Sequence, residues 1–346
     1  MVLTLEDNYQ NALINNGLNS KEFCFFEGLF DAMRDNKLFF LASFDFYNFF
    51  LSLYKSTISN RTAKMIERLI NEGAISISEA RQIKPLITIC SSSDNYRFQN
   101  NSFFVPFCDV PDNLTSCICG ENPDDANFYK FVFSSFTSKN DYINVETIGM
   151  GGGDIKTYLQ NMVDNQRVFL CICDSDIKYP GCDEGCTAKD AREFFQTNNP
   201  KCSTLYVLSV HEKENLFPFE MYNLQGNMKE IVQYVISLNC DDYRDYFDIK
   251  DGMKKADLNN PALQPAAWHS FYDCVFNYAQ TNNYYEQKLP KKYVIGIGSS
   301  ALSERIEQPV DINSYKSLLT SRQKNDIDSI CGLMLIYGYR YTIKNP

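Results

Sequence analysis

Three apolar stretches of this chain run into acids. SCICGE (residues 116–121) ends on Glu121, and VFLCICDSD (168–176) is apolar from Val168 to Cys173 before Asp174 and Asp176. A later segment, SVHEKENLFP (209–218), carries Glu212 and Glu214. Carboxylates gathered at one place cannot all stay ionised unless a cation sits among them, and oxygen-only ligands favour magnesium or manganese. Alternation along extended chain sends Asp174 and Asp176 to one side, with Ser175 pointing away, so both acids are expected to face one ion. Such an ion both activates water and stabilises a leaving oxygen, so phosphodiester chemistry of this type needs no histidine. His211 and His269 are the only histidines. Neither lies in a motif that supports a Ser-His-Asp hydrolase or a His-ligated zinc enzyme, and His269 is expected to pack beside Trp268.

The elements that must position these acids alternate regularly. Strands are expected at Ser116–Cys119, Ile143–Ile148, Val168–Cys173 and Leu205–Val210, with helices at Asp124–Phe136, Asp154–Val163 and Thr187–Thr197 between them. Strands separated by helices of this length imply right-handed crossovers and a four-stranded parallel sheet flanked by helices. In such a sheet every strand ends on one edge, where ligands bind, so acids some ninety residues apart would meet. Residues 1–112 read as a mainly helical accessory domain, with helices at Thr62–Glu72 and after Ser76. Connecting chain follows from Ser91 to Asn113, holding an edge strand at Ser102–Phe107. Residues 113–220 form the expected catalytic α/β domain. Residues 221–346 are a mixed α/β region with helices at Met228–Leu238 and Ala267–Gln280 and a strand at Tyr293–Ile297.

CICGENPDDANFYKFV places Glu121 at a strand end before a helix, VETIGMGGGDIKTYL gives a strand and glycine turn, and VFLCICDSD supplies paired acids 53 residues after the glutamate. This order and spacing, over Thr115 to Pro218, resembles the Toprim domain of topoisomerases, primases and OLD-family nucleases. SVHEKENLFP is similar to the Glu-x-Glu-Asn element that follows the paired acids in OLD-like members. The resemblance implies that Glu121 is a general acid or base or a ligand of a second metal. It also implies that Asp174 and Asp176 hold the catalytic ion, while Glu212 and Glu214 complete a two-metal site. Gly151, Gly152 and Gly153 would offer backbone amides to a nucleic-acid phosphate, with Lys156 and Lys178 as nearby cations. The pattern departs from EGxxD, because Gly120 precedes Glu121 and Asn122 follows it. A literal EGxxD stands at Glu27, Gly28 and Asp31, 147 residues before Asp174, but without a glycine-marked strand unit after it. GMGGGDIKT approaches the phosphate loop GxxxxGK[ST] and fails where Ile155 replaces the glycine before Lys156.

By the same resemblance the chain is expected to be a magnesium-dependent nuclease (manganese possible), cutting DNA or RNA, with no ATPase module of its own. Related stand-alone nucleases act in bacterial anti-phage defence or with retrons. That implies a restraining partner such as an ATPase or a reverse-transcriptase complex, and allows a homo-oligomer. The alternatives are a non-catalytic magnesium- and nucleic-acid-binding regulatory module and a primase-like nucleotidyl transferase. A net charge of −10 argues against a generally basic nucleic-acid binder. Glu286–Pro346 nevertheless carries nine Lys and Arg against six acids, so this stretch is the better candidate for touching phosphates. The thirteen cysteines are scattered and odd in number, and no secretory signal precedes them, so they read as reduced thiols packed as small hydrophobes. Without a signal or a membrane-length apolar span, a cytoplasmic protein is expected.

Overall fold

The computed structural model describes residues 1–72, 78, 81–100, 102–111, 114–137, 143, 145–151, 154–222, 224, 226–250, 253–254, 264–282, 293–295 and 315–339. Two main sheets organise the chain. The first has five strands in the order β2-β1-β3-β5-β4: β1 (Val2–Leu5), β2 (Phe39–Leu41), β3 (Ile87–Cys90), β4 (Arg97–Gln99) and β5 (Ser102–Pro106). All its pairings are parallel except the β4–β5 hairpin. Helices α1 (Asp7–Asn16), α2 (Ser20–Arg34), α3 (Phe44–Tyr54) and α4 (Asn60–Glu72) accompany it. A cluster of fully buried rings, including Phe26, Phe30, Phe40, Phe46 and Phe50, fills the space between α2, α3 and β2.

This sheet corrects the expectation of a mainly helical N-terminal region. Its first three strands are only three or four residues long, and FFL and ITIC carry no alternation because they are buried on both faces. Such runs have no period by which to distinguish them from a buried helix. The stretch expected as connecting chain holds the β4–β5 hairpin. β5 is an interior strand, lying between β3 and β4, and not the expected edge. α4 starts at Asn60, two residues before the expected Thr62. The helix start expected at Ser76 lies outside the described residues.

The second sheet follows the predicted alternation closely. Its strands are β6 (Ser116–Gly120), β7 (Glu146–Gly149), β8 (Val168–Cys173) and β9 (Thr204–Val207), all parallel in the order β7-β6-β8-β9. Helices α5 (Pro123–Phe136), α6 (Ile155–Asp164) and α7 (Cys186–Asn198) connect them. Ile143 forms an isolated bridge to Tyr339, so β7 is shorter than expected and begins at Glu146. Alternation divides the strands cleanly. Cys117, Cys119, Phe169, Cys171 and Cys173 pack with Ile155, Leu159 and Phe194 of α6 and α7. Ile118, Leu170 and Ile172 turn the other way, into the larger core that includes Tyr129 and Val132 of α5.

Downstream lie α8 (Gly226–Ser237), α9 (Asp241–Tyr246), α10 (Ala266–Thr281) and the short antiparallel pair β10 (Met253–Lys254) and β11 (Tyr293–Ile295). An 18-residue helix, α11 (Ser321–Gly338), had no counterpart among the predicted elements. It joins α5 on the second sheet, and one apolar core runs from Val2 to Tyr339 through all three expected regions. Among the described residues no helix is long and apolar enough to cross a membrane.

Candidate active site

The carboxyl edge of the second sheet is shaped first by glycines. A Cβ on Gly149 would lie 2.2 Å from Pro123 Cδ, and one on Gly120 would lie 2.8 Å from Ala126 N. The missing side chains let the first turn of α5 sit directly on the ends of β6 and β7. Asn122 caps that turn: its side chain accepts from the Asp124 and Asp125 N–H groups, and Asp125 accepts from the Asn122 N–H at 3.0 Å. The Gly-Glu-Asn order that departs from EGxxD is therefore a close approach followed by a capping box. It leaves Glu121 between strand and helix.

Burial pushes the Glu121 carboxyl up to about 7, and Asp176 and Asp125 add to the effect while Lys250 and Lys213 oppose it. Asp174, the first residue after β8, accepts from the Lys213 N–H at 3.0 Å and from the Tyr129 hydroxyl at 3.2 Å, both on Oδ1. Burial, and then Glu212, Glu214, Glu121 and Asp125, hold it well above the usual carboxylate range. The acids predicted from three strand ends therefore feel one another across the edge.

Asp176 is placed by a different rule from the one expected. The strand ends at Cys173, and Asp176 has φ +56°, so simple alternation does not extend to it. Its N–H donates to His211 O at 2.9 Å, and its carboxylate lies where a Cβ on Gly185 would be. Ser175 is fully buried and donates to Val210 O at 2.5 Å, fastening the Asp174–Asp176 turn to the loop after β9.

That loop carries Glu212, Lys213 and Glu214, all buried. Lys213 pairs with Asp125, and Lys250 donates to Glu212 Oε2 at 3.2 Å. Glu212 is pushed up to about 7 by burial, with His211 and Lys250 opposing and Asp248 and Glu214 adding. Neither carboxylate oxygen of Glu214, only 1% exposed, accepts a hydrogen bond from another residue. Asn215 and α11 hold the loop in place: Asn215 Nδ2 donates to Arg244 O and Phe247 O, both at 3.0 Å, and Gln323 Nε2 donates to Asn215 O at 2.7 Å.

Among the described residues, no three of Glu121, Asp174, Asp176, Glu212 and Glu214 put ligating atoms within 4.8 Å of one another, whereas His211, Glu212 and Asp248 do. Burial works to lower the His211 pKa, but Asp248 and Glu212 outweigh it and raise the imidazole above its ordinary value. His211 lies in no triad or zinc motif of the sequence, and Asp125, Lys213, Asp248 and Lys250 are not among the residues expected at the site. Of these, only Asp125 carries a local signal, the capping position three residues after Asn122.

The residues expected to meet phosphate are dispersed. Gly151 has φ +72° and lies against the Tyr158 ring, while Gly152 and Gly153 lie outside the described residues. Lys156 is exposed and committed to Asp190 at 2.9 Å and Glu193 at 2.7 Å on α7. Lys178 forms no ion pair among the described residues and has a field that reaches His211. Of the nine basic residues downstream of Glu286, the described ones are Lys316, Arg322 and Lys324, and Arg322 pairs with Asp242 and Asp245. Glu27 lies within α2, not at the carboxyl edge; the neighbouring Gly28 and Asp31 share a cleft with Leu114 and Thr115, at the opposite end of β6. His269 stands edge-on to Trp268 and contacts Asp273 at 3.0 Å.

No protein-family model matches the chain, and no curated protein matches it. The reading of its function therefore rests on the α/β fold and on the chemistry of this edge.

Proposed function

We propose that the protein is a metal-dependent phosphodiesterase acting on DNA or RNA at the carboxyl edge of its parallel sheet. The observation that carries the reading is Glu214, a buried carboxylate whose oxygens accept no hydrogen bond from another residue, within electrostatic reach of Asp174, whose own ionisation is opposed by four neighbouring acids. A cation relieves that repulsion, and the oxygen-only donors Asp174, Asp176 and Glu214 suit magnesium or manganese. Bound there, the ion would supply Lewis-acid activation of water and stabilisation of the leaving oxygen. Glu121, with its pKa brought to about 7, is suited to accept a proton from the attacking water or return one to the leaving group. Lys213 and Lys250 place positive charge where a phosphoryl group gains negative charge. Tyr129 and the Lys213 N–H orient Asp174.

The resemblance of the motif order to Toprim nucleases motivates this reading and would extend it to a defence effector restrained by a partner ATPase or reverse-transcriptase complex. Incubation of the purified chain with plasmid, single-stranded DNA and tRNA should give cleavage in magnesium or manganese and none in EDTA. Asp174→Asn and Glu121→Gln should each lower cleavage on the order of 100-fold or more while circular dichroism is unchanged. Undiminished cutting by both variants rules out the site.

A second reading has its own support. The Lys213–Asp125 and Lys250–Glu212 pairs already neutralise part of the cluster, as in a module that binds magnesium and nucleic acid without turnover. Binding without cutting in every metal favours that module, and incorporation of labelled nucleotides would indicate a primase-like transferase.

A further inference from the structure

His211 is wholly buried, yet neither of its ring nitrogens has a hydrogen-bond partner. Buried polar side chains are normally satisfied, so two unpaired nitrogens call for an explanation. Nε2 lies 3.5 Å from Asp248 Oδ2 and 3.7 Å from Glu212 Oε1. Both separations exceed the ~2.7–3.2 Å of a good N–H···O bond. They approach a different geometry: donors about 2.0–2.2 Å from an ion, at the corners of a tetrahedron, are about 3.3–3.6 Å apart.

We propose that His211, Glu212 and Asp248 form a three-ligand site for a single transition-metal dication of the zinc class, with a fourth position left for water, distinct from the acids Glu121, Asp174, Asp176 and Glu214 proposed above. Their ligating atoms all lie within 4.8 Å of one another. One imidazole nitrogen with two carboxylates suits zinc, with manganese next. Magnesium prefers all-oxygen donors and keeps several of its waters, so a nitrogen donor and a largely buried setting favour zinc over it. Lys250 occupies Glu212 Oε2 and leaves Oε1 directed at the imidazole.

The two segments that supply the ligands are already laced together. The His211 N–H donates to Asp245 O at 2.8 Å, and Asn215 reaches Arg244 O and Phe247 O. An ion here would staple the loop at 211–216 to the chain at 244–250 and so fix the backbone that presents Glu214. The inference does not depend on the nuclease reading, since it concerns metal retention and stability and not cleavage.

The test uses the full chain, stripped with EDTA and reloaded with one metal at a time. Elemental analysis should find one zinc retained per chain, with a rise in melting temperature that saturates at one equivalent and is not reproduced by magnesium. His211→Gln should lose the ion, and Asp174→Asn should keep it. Cobalt loaded into the unaltered chain should give the visible bands of a tetrahedral ion without the near-ultraviolet thiolate band that cysteine ligands produce. This measurement requires no variant to fold. Failure of zinc, manganese and cobalt to be retained or to shift melting overturns the proposal, as does a thiolate band or full metal retention by folded His211→Gln. In the first case His211 is instead an imidazolium held by two carboxylates.

Discussion

Glu121 and Glu212 carry a pH dependence whose sign follows from their positions. Both have ordinary values of 4.5 that the fold raises to about 7. The folded chain therefore holds their protons more tightly than the unfolded chain does. Their contribution to stability is complete below about pH 4.5 and is lost as pH rises through about 7. Urea midpoints of the metal-stripped chain should fall across that window, Glu121→Gln should flatten the fall, and magnesium should restore stability at the upper end. A flat profile in EDTA contradicts the burial of these acids. The acids themselves were legible in the sequence because they end apolar runs, a signal confined to a few neighbouring residues. The groups that tune them were not: Lys213 meets Asp125 across 88 positions, and Lys250 meets Glu212 across 38. No local pattern encodes those pairings.

At the scale of elements, the parallel sheet was readable because each strand–helix unit carries its own punctuation, including Asn122 before α5 and the glycines after β7. The junction of these elements is also where substitutions should be felt. Gly149→Ala puts a methyl group into Pro123 and should cost about 1–3 kcal/mol in urea unfolding. Asn122→Ala removes the cap and should cost about 1 kcal/mol. It should also lower cleavage, because Glu121 immediately precedes the cap. A variant with unchanged stability and activity would show that the cap does not position the glutamate. Most of the N-terminal sheet was not legible for the opposite reason: β2 and β3 are short and buried on both faces, where neither helical nor strand periodicity survives, and only β5 shows as a strand. α11 did carry a sign, the Thr320-to-Gln323 capping box, which went unused.

Across the whole molecule, α11 links both ends of the second sheet. Ser116, at the start of β6, donates to Tyr337 O, while Asp326 accepts from the Tyr206 hydroxyl and from the Ser209 and Val210 N–H groups beyond β9. Asp326→Ala leaves those donors unpaired, at a cost on the order of 1–3 kcal/mol for each buried one. Hydrogen exchange should then quicken over 208–216, and cleavage should fall although no proposed catalytic group has changed. Unaltered exchange there would mean that the loop holds itself. The same clasp has a consequence in time. Asp326 follows Ser209 by 117 positions, which at ribosomal speeds of about 5–20 residues per second is a delay of roughly 6–23 s. During that interval the loop bearing Glu212 and Glu214 can already bond to the Asp174–Asp176 turn and to the chain at 244–247, but it lacks its bonds to α11. Under the proposed nuclease reading, the site would gain its last support only when α11 emerges, late in synthesis.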